Sequence, residues 1–111
     1  MTEKEEKYRT ERMIRAMVEC NKLTLGCVTT GRVARRLRMT VRELYRKLDE
    51  LGILFRDSEM WMLTPKYAAL GLLRYRYTLY YTLDGERKVR IYPVWTEQGV
   101  AFLEDMGELR S

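Results

Sequence analysis

The sequence predicts an α+β fold, and three observations predict it. The stretch TGRVARRLRMTVRELYRKLDEL, residues 30–51, carries apolar residues at three-and-four spacing in two blocks, the pattern of two short helices joined by a tight turn. Residues 73–95 instead alternate in polarity on either side of Asp84-Gly85, the pattern of a β-hairpin. Threonines stand at 29, 30, 40, 64 and 96, each ahead of a helical pattern, where a side-chain oxygen can cap the first free N–H groups. At 111 residues, with 46% hydrophobic and 33% charged, the chain is read as one domain spanning 1–111, with 1–7 and 108–111 as disordered ends.

Residues 3–20 are dense in Glu, Lys and Arg, with Met13, Ile14, Met17 and Val18 as a later apolar stripe, which predicts an amphipathic helix ended by Asn21. Its first eight residues fit a frayed, solvated end equally well. LTLGCV follows as a short extended connection. In the first helix of the pair, Val33, Ala34 and Leu37 share a side, and Ala34 is small enough for a close crossing. A turn at Arg38-Met39-Thr40 leads to the second helix, where Val41, Leu44, Leu48 and Leu51 form the stripe to be buried. Thr40 and Glu43 make a capping box, and Gly52 is the left-handed stop.

The apolar runs 53–55 and Met60–Leu63, around Arg56-Asp57-Ser58-Glu59, predict a small hairpin. It follows the second helix where a winged helix carries its wing, with Arg56 near the tip. Thr64-Pro65 opens a short helix running to Leu70, before Gly71. In the long hairpin, Tyr75, Tyr77, Leu79, Tyr81 and Leu83 alternate with Arg74, Arg76, Thr78, Tyr80 and Thr82, and the return strand alternates Val89, Ile91, Pro93 and Trp95. A two-residue loop would set Leu79 against Arg90 and mix the faces. An odd-length connection, with Gly85 at positive φ and Tyr81 opposite Val89 or Arg87, keeps the apolar side chains together. The other face then shows a basic ladder of Arg74, Arg76, Lys88 and Arg90. Thr96 caps a last helix over 97–106 with Val100, Leu103 and Met106 inward, and Gly107 ends it ahead of a mobile acidic tail.

The net charge of +5 is unevenly spread. Residues 28–56 hold eight basic side chains against three acidic, residues 74–90 five against two, and residues 91–111 one against four. The helical pair is therefore the first candidate for a nucleic-acid footprint. There is no histidine, and serine occurs only at Ser58 and Ser111, so nucleophilic triads lack their members and an enzyme is not expected. Cys20 and Cys27 cannot complete a four-ligand zinc site, and both are read as small packing residues; no metal and no cofactor are expected. No apolar run reaches the roughly 18 residues of a membrane span, and the charged start MTEKEEKYRTER is unlike a secretory signal, so the chain is read as cytoplasmic with no membrane partner.

Several motifs in one order carry a resemblance. The helical pair, a hairpin ending in WMLTPKYAALGLL, a basic Tyr/Arg strand, a DG turn and VWTEQGVAFLEDM together resemble the KilA carboxy-terminal (KilAC, or ANT) domain of phage and prophage antirepressor proteins. Thr64-Pro65-Lys66, Gly71-Leu72-Leu73 and 96–103 match the family's T-x-K segment, strand start and closing helix, and the similarity spans about residues 8–107. The family's usual separate amino-terminal domain has no counterpart here, which reads as a stand-alone version or a fragment, and the turn position often held by Gly is Arg38. The resemblance implies a small winged-helix-like, DNA-binding regulatory module. On that footing Arg42, Tyr45 and Arg46, near the start of the second helix, are candidates for base edges in the major groove of double-stranded DNA. Arg32, Arg35 and Arg36 are candidates for phosphates, Arg56 for the adjacent backbone, and Arg38 and Lys47 complete the basic set. The competing expectation is a protein-interaction module that binds a phage repressor or pairs with another copy as a homodimer.

Overall fold

The structure, a computed structural model, describes residues 2–109. It is α+β: five helices and two antiparallel sheets. In order these are α1 (Glu3–Lys22), β1 (Val28–Thr29), α2 (Thr30–Arg36), α3 (Val41–Glu50), β2 (Leu54–Asp57), β3 (Met60–Leu63), α4 (Pro65–Ala68), β4 (Leu73–Tyr81), β5 (Arg87–Trp95) and α5 (Glu97–Glu104), then a 3-10 turn at Gly107–Leu109. One sheet has the order β1-β5-β4 and the other is the hairpin β2-β3. The chain falls into two compact units, Met1–Leu25 with Tyr75–Tyr92 and Gly26–Arg74 with Pro93–Ser111.

The second unit contains the core. Val33 and Ala34 of α2, Leu44 and Leu48 of α3, Ile53, Leu54, Leu72, Trp95, Val100, Leu103 and Leu109 form one buried cluster. Threonines start the helices as the sequence predicts: the Oγ1 atoms of Thr29, Thr40 and Thr96 accept from the backbone N–H groups of Arg32, Glu43 and Gly99 at 3.3, 3.1 and 3.0 Å. Thr64 departs from this. It occupies the N-cap of α4, but its hydroxyl donates to the Gly52 carbonyl at 2.8 Å instead. Gly52, at φ +73°, ends α3, with the Ile53 N–H bonded to the Leu48 carbonyl at 2.9 Å. Gly99 allows close approach at the start of α5, because a Cβ there would overlap the Leu72 carbonyl. That proximity goes with the 3.1 Å bond from the Thr96 N–H to the Leu72 oxygen.

Burial corrects several expectations in this unit. Val41 and Leu51, placed on the buried stripe of α3, are each 39% exposed, so only Leu44 and Leu48 seal that face. Helix α4 stops at Ala68 rather than Leu70, and α5 at Glu104 rather than Met106. Residues 108–109, read as part of a mobile tail, belong instead to the terminal 3-10 turn, and Leu109 is fully buried; Arg110 and Ser111 lie outside the described residues. The extended connection expected from LTLGCV is a turn followed by the two-residue strand β1, which pairs Val28 with Trp95 and Thr29 with Val94.

The first unit is built differently. Helix α1 begins at Glu3, with Thr2 as its cap, and runs past Asn21 to Lys22, yet none of its residues is buried. Of its expected inner stripe, Met13, Ile14 and Val18 are 37%, 38% and 48% exposed, and only Met17 is half-buried. Cys20 is also exposed and Cys27 half-buried, both as free thiols, so Cys20 is not the packing residue expected. Asn21 secures the unit: its side-chain amide donates to the Tyr77 carbonyl at 2.8 Å while its oxygen accepts from the Tyr77 N–H at 2.9 Å. A strand residue that gives both backbone groups to a side chain has neither facing its ladder partner, so Tyr77 sits on the open edge of β4.

The long hairpin closes through a bond from the Thr82 N–H to the Glu86 carbonyl at 2.9 Å, bracketing the three residues 83–85, with Gly85 at φ +83°. The loop is therefore odd-numbered, as predicted; counted outward along a regular ladder, this closure sets Tyr81 against Arg87 and Leu79 against Val89. The basic ladder does not stay wholly solvated. Arg76 is half-buried and donates from Nε and Nη2 to the hydroxyl and carbonyl of Thr24 at 2.9 and 2.8 Å.

Candidate nucleic-acid interface

Two grooves meet at the start of α3. The larger, about 740 Å³, lies between α3 and the β2-β3 hairpin and is lined by Thr40, Val41, Arg42, Glu43, Tyr45, Arg46, Asp49, Arg56 and Trp61. The smaller, about 450 Å³, lies on the α2 side and is lined by Thr29, Gly31, Arg32, Ala34, Arg35, Met39, Thr40 and Val41. Thr40 and Val41 belong to both, so Arg32 and Arg35 stand on one side of this junction and Arg42, Arg46 and Arg56 on the other. All five arginines are exposed. The exposure of Val41, a misfit for a core position, makes sense as the apolar ridge between the grooves.

Arg36, Arg38 and Lys47 lie outside both grooves. Arg36 pairs with Glu104 of α5 at 3.6 Å, which turns it away from the junction. Arg38 lines neither groove, but occupies the left-handed turn position at φ +58°, where the Met39 N–H bonds the Ala34 carbonyl at 3.0 Å. A non-glycine residue in that conformation costs about 1 kcal/mol. Lys47 is half-buried and lines neither groove. Arg46 lies 3.9 Å from Glu50 with both side chains solvated, a weak contact that leaves the guanidinium free to turn.

Tyr45 has a structural task. Its hydroxyl donates to Thr30 Oγ1 at 2.9 Å, and the same oxygen accepts from the buried Trp95 Nε1 at 3.0 Å. Burial pushes the Tyr45 phenol above its ordinary pKa, an effect the Thr30 contact partly offsets. The Tyr45 ring stacks on Trp61, with centroids 5.0 Å apart and planes 10° apart. Trp61 in turn lies under the Arg56 guanidinium, 5.8 Å from carbon to ring centroid. Sequence reasoning missed Trp61 because it placed Arg56 in the turn. Strand β2 runs two residues further, to Asp57, while β3 starts at Met60 as expected: Arg56 pairs with Trp61, Asp57 with Met60, and Ser58-Glu59 make the turn, with Ser58 at φ +57°. A two-residue turn, which Ser58-Glu59 permits, was the signal that would have found the pair.

Among the described residues no group of three His, Cys, Asp or Glu stands close enough to hold a metal, and no helix is long and apolar enough to cross a membrane.

Fold and site together define a small α+β module with five exposed arginines around the start of one helix. The phage antirepressor protein KilAC domain family matches residues 21–107, and the chain belongs to that family. No curated protein and no solved structure matches the chain.

Proposed function

We propose that the chain is the DNA-binding regulatory module of a phage antirepressor, working as one winged-helix-like unit over 1–111. The single observation that carries this reading is the junction at Thr40–Val41, where two grooves bring five exposed arginines around the start of α3. In this reading α2 and α3 are the helix-turn-helix and β2-β3 the wing. Helix α3 enters the major groove with Arg42 and Arg46 toward base edges, while Arg32 and Arg35 grip phosphates. Tyr45 serves by holding the wing, since its hydroxyl is already engaged with Thr30.

The test is fluorescence anisotropy of a labelled mixed-sequence duplex across a salt series. Three to five phosphate contacts give a log–log salt slope of roughly −3 to −4.5. Arg35→Glu with Arg46→Glu, on exposed positions, is expected to abolish most of the affinity and leave the thermal melt unchanged. Binding that is absent, or indifferent to salt, removes the reading. A second reading, docking onto a repressor protein, draws on Phe55 and Met62, paired across the outer face of the hairpin and 38% and 36% exposed. Sedimentation of the chain with its cognate repressor distinguishes it, because complex formation lost on Phe55→Ser would favour protein contact.

A further inference from the structure

The hairpin presents two surfaces of opposite character. Its tip carries Asp57 and Glu59 around Ser58, with no basic residue among them, so a phosphate backbone meets repulsion there. Its groove-facing side carries Arg56, stacked over Trp61, and the same groove holds Arg42 and Arg46 against Glu43 and Asp49. The Trp61 ring is clamped between the Arg56 guanidinium and the Tyr45 ring, and Tyr45 is tied through Thr30 to the buried Trp95. This column runs from the core to the groove and restricts where one arginine can stand. Such restriction reduces the ordering cost of an ion contact made by a flexible side chain.

We propose that the hairpin engages nucleic acid through this inner side and not through its tip: the α3–hairpin groove receives one phosphodiester strand, Arg56 is the hairpin-side anchor, and Trp61 is a positioning residue for it. The assignment rests on the DNA reading of α3 above and specifies which face of the hairpin that reading uses.

Anisotropy with the full chain and a mixed-sequence duplex tests it at several salt concentrations. Arg56→Gln is expected to weaken binding about tenfold and to make the log–log salt slope shallower by about 1. Trp61→Ala is expected to come close to the same loss, and Trp61→Phe, which keeps a ring under the guanidinium, to stay within about threefold of wild type. The Arg56→Gln, Trp61→Ala double variant should lose little more than either single change, since both remove one device. Neutralising the tip with Asp57→Asn and Glu59→Gln should alter affinity less than about threefold. Should Trp61→Ala fail to fold, Arg56→Gln, Trp61→Phe and the tip variant still decide. Wild-type affinity in Arg56→Gln, or a tip variant that shifts binding as much as Arg56→Gln, overturns this proposal alone. A wild-type chain without salt-sensitive binding overturns the DNA reading and this proposal with it.

Discussion

The unit made of Gly26–Arg74 and Pro93–Ser111 holds every fully buried apolar side chain among the described residues, while the unit made of Met1–Leu25 and Tyr75–Tyr92 holds none. The core-bearing unit coheres by close packing, with Val33, Leu44, Leu48, Trp95, Leu103 and Leu109 wholly removed from water. The unit of Met1–Leu25 and Tyr75–Tyr92 coheres by directional polar contacts: Asn21 on the Tyr77 backbone, Arg76 on Thr24, and Arg87 Nη2 on Thr10 Oγ1 at 2.8 Å. The difference teaches where stability resides. Packing distributes its contribution over many neighbours and is strongly cooperative, whereas a net hydrogen bond is worth about 1 kcal/mol and fails singly. The arginine junction belongs to the packed unit, which suits side chains that must hold their spacing.

Three substitutions break or sharpen this contrast. The largest effect is expected from Gly99→Ala, whose added carbon has no room beside the Leu72 carbonyl, so the backbone of α5 must shift. A loss of about 3 kcal/mol is expected, read as a lowered thermal midpoint by circular dichroism. An unchanged midpoint would mean that α5 is not packed as described. Next is Thr30→Val, which keeps the shape but removes the shared acceptor of the Trp95 indole and the Tyr45 hydroxyl. Denaturant unfolding should report a loss of roughly 1–3 kcal/mol, with Trp95 fluorescence shifted in the folded state. The smallest is Asn21→Ala, expected to cost about 1 kcal/mol of local protection at the Tyr77 amide in hydrogen exchange. The contrast holds if the Leu44 and Leu48 amides keep their protection in that variant, and is lost if they weaken equally.

How much was legible varies with the range of the interaction. The arginine set around α3 could be named from the sequence, since eight of the eleven charged residues over 28–56 are basic. That Arg36 turns to Glu104 could not, because the partner lies on another helix far along the chain. Arg56 was legible as a residue of the small hairpin, yet its seat on Trp61 depended on β2 running two residues past Phe55, to Asp57. The stripe of α3 was half legible: spacing placed Val41 and Leu51 with Leu44 and Leu48, and only the packing around them determined which pair is covered.

The sequence by itself determined the starts of α2, α3 and α5, the stop at Gly52 and the odd loop at Gly85, since each rests on contacts between residues at most five positions apart or on a single φ angle. Only the tertiary structure decided that Asn21 closes a strand edge 56 residues away, that Arg76 leaves the solvated face for Thr24 52 residues away, and that Thr30 takes the Trp95 indole 65 residues away. The physical reason is that local spacing prescribes a conformation, whereas a long-range partner exists only once the whole chain has brought two distant segments together.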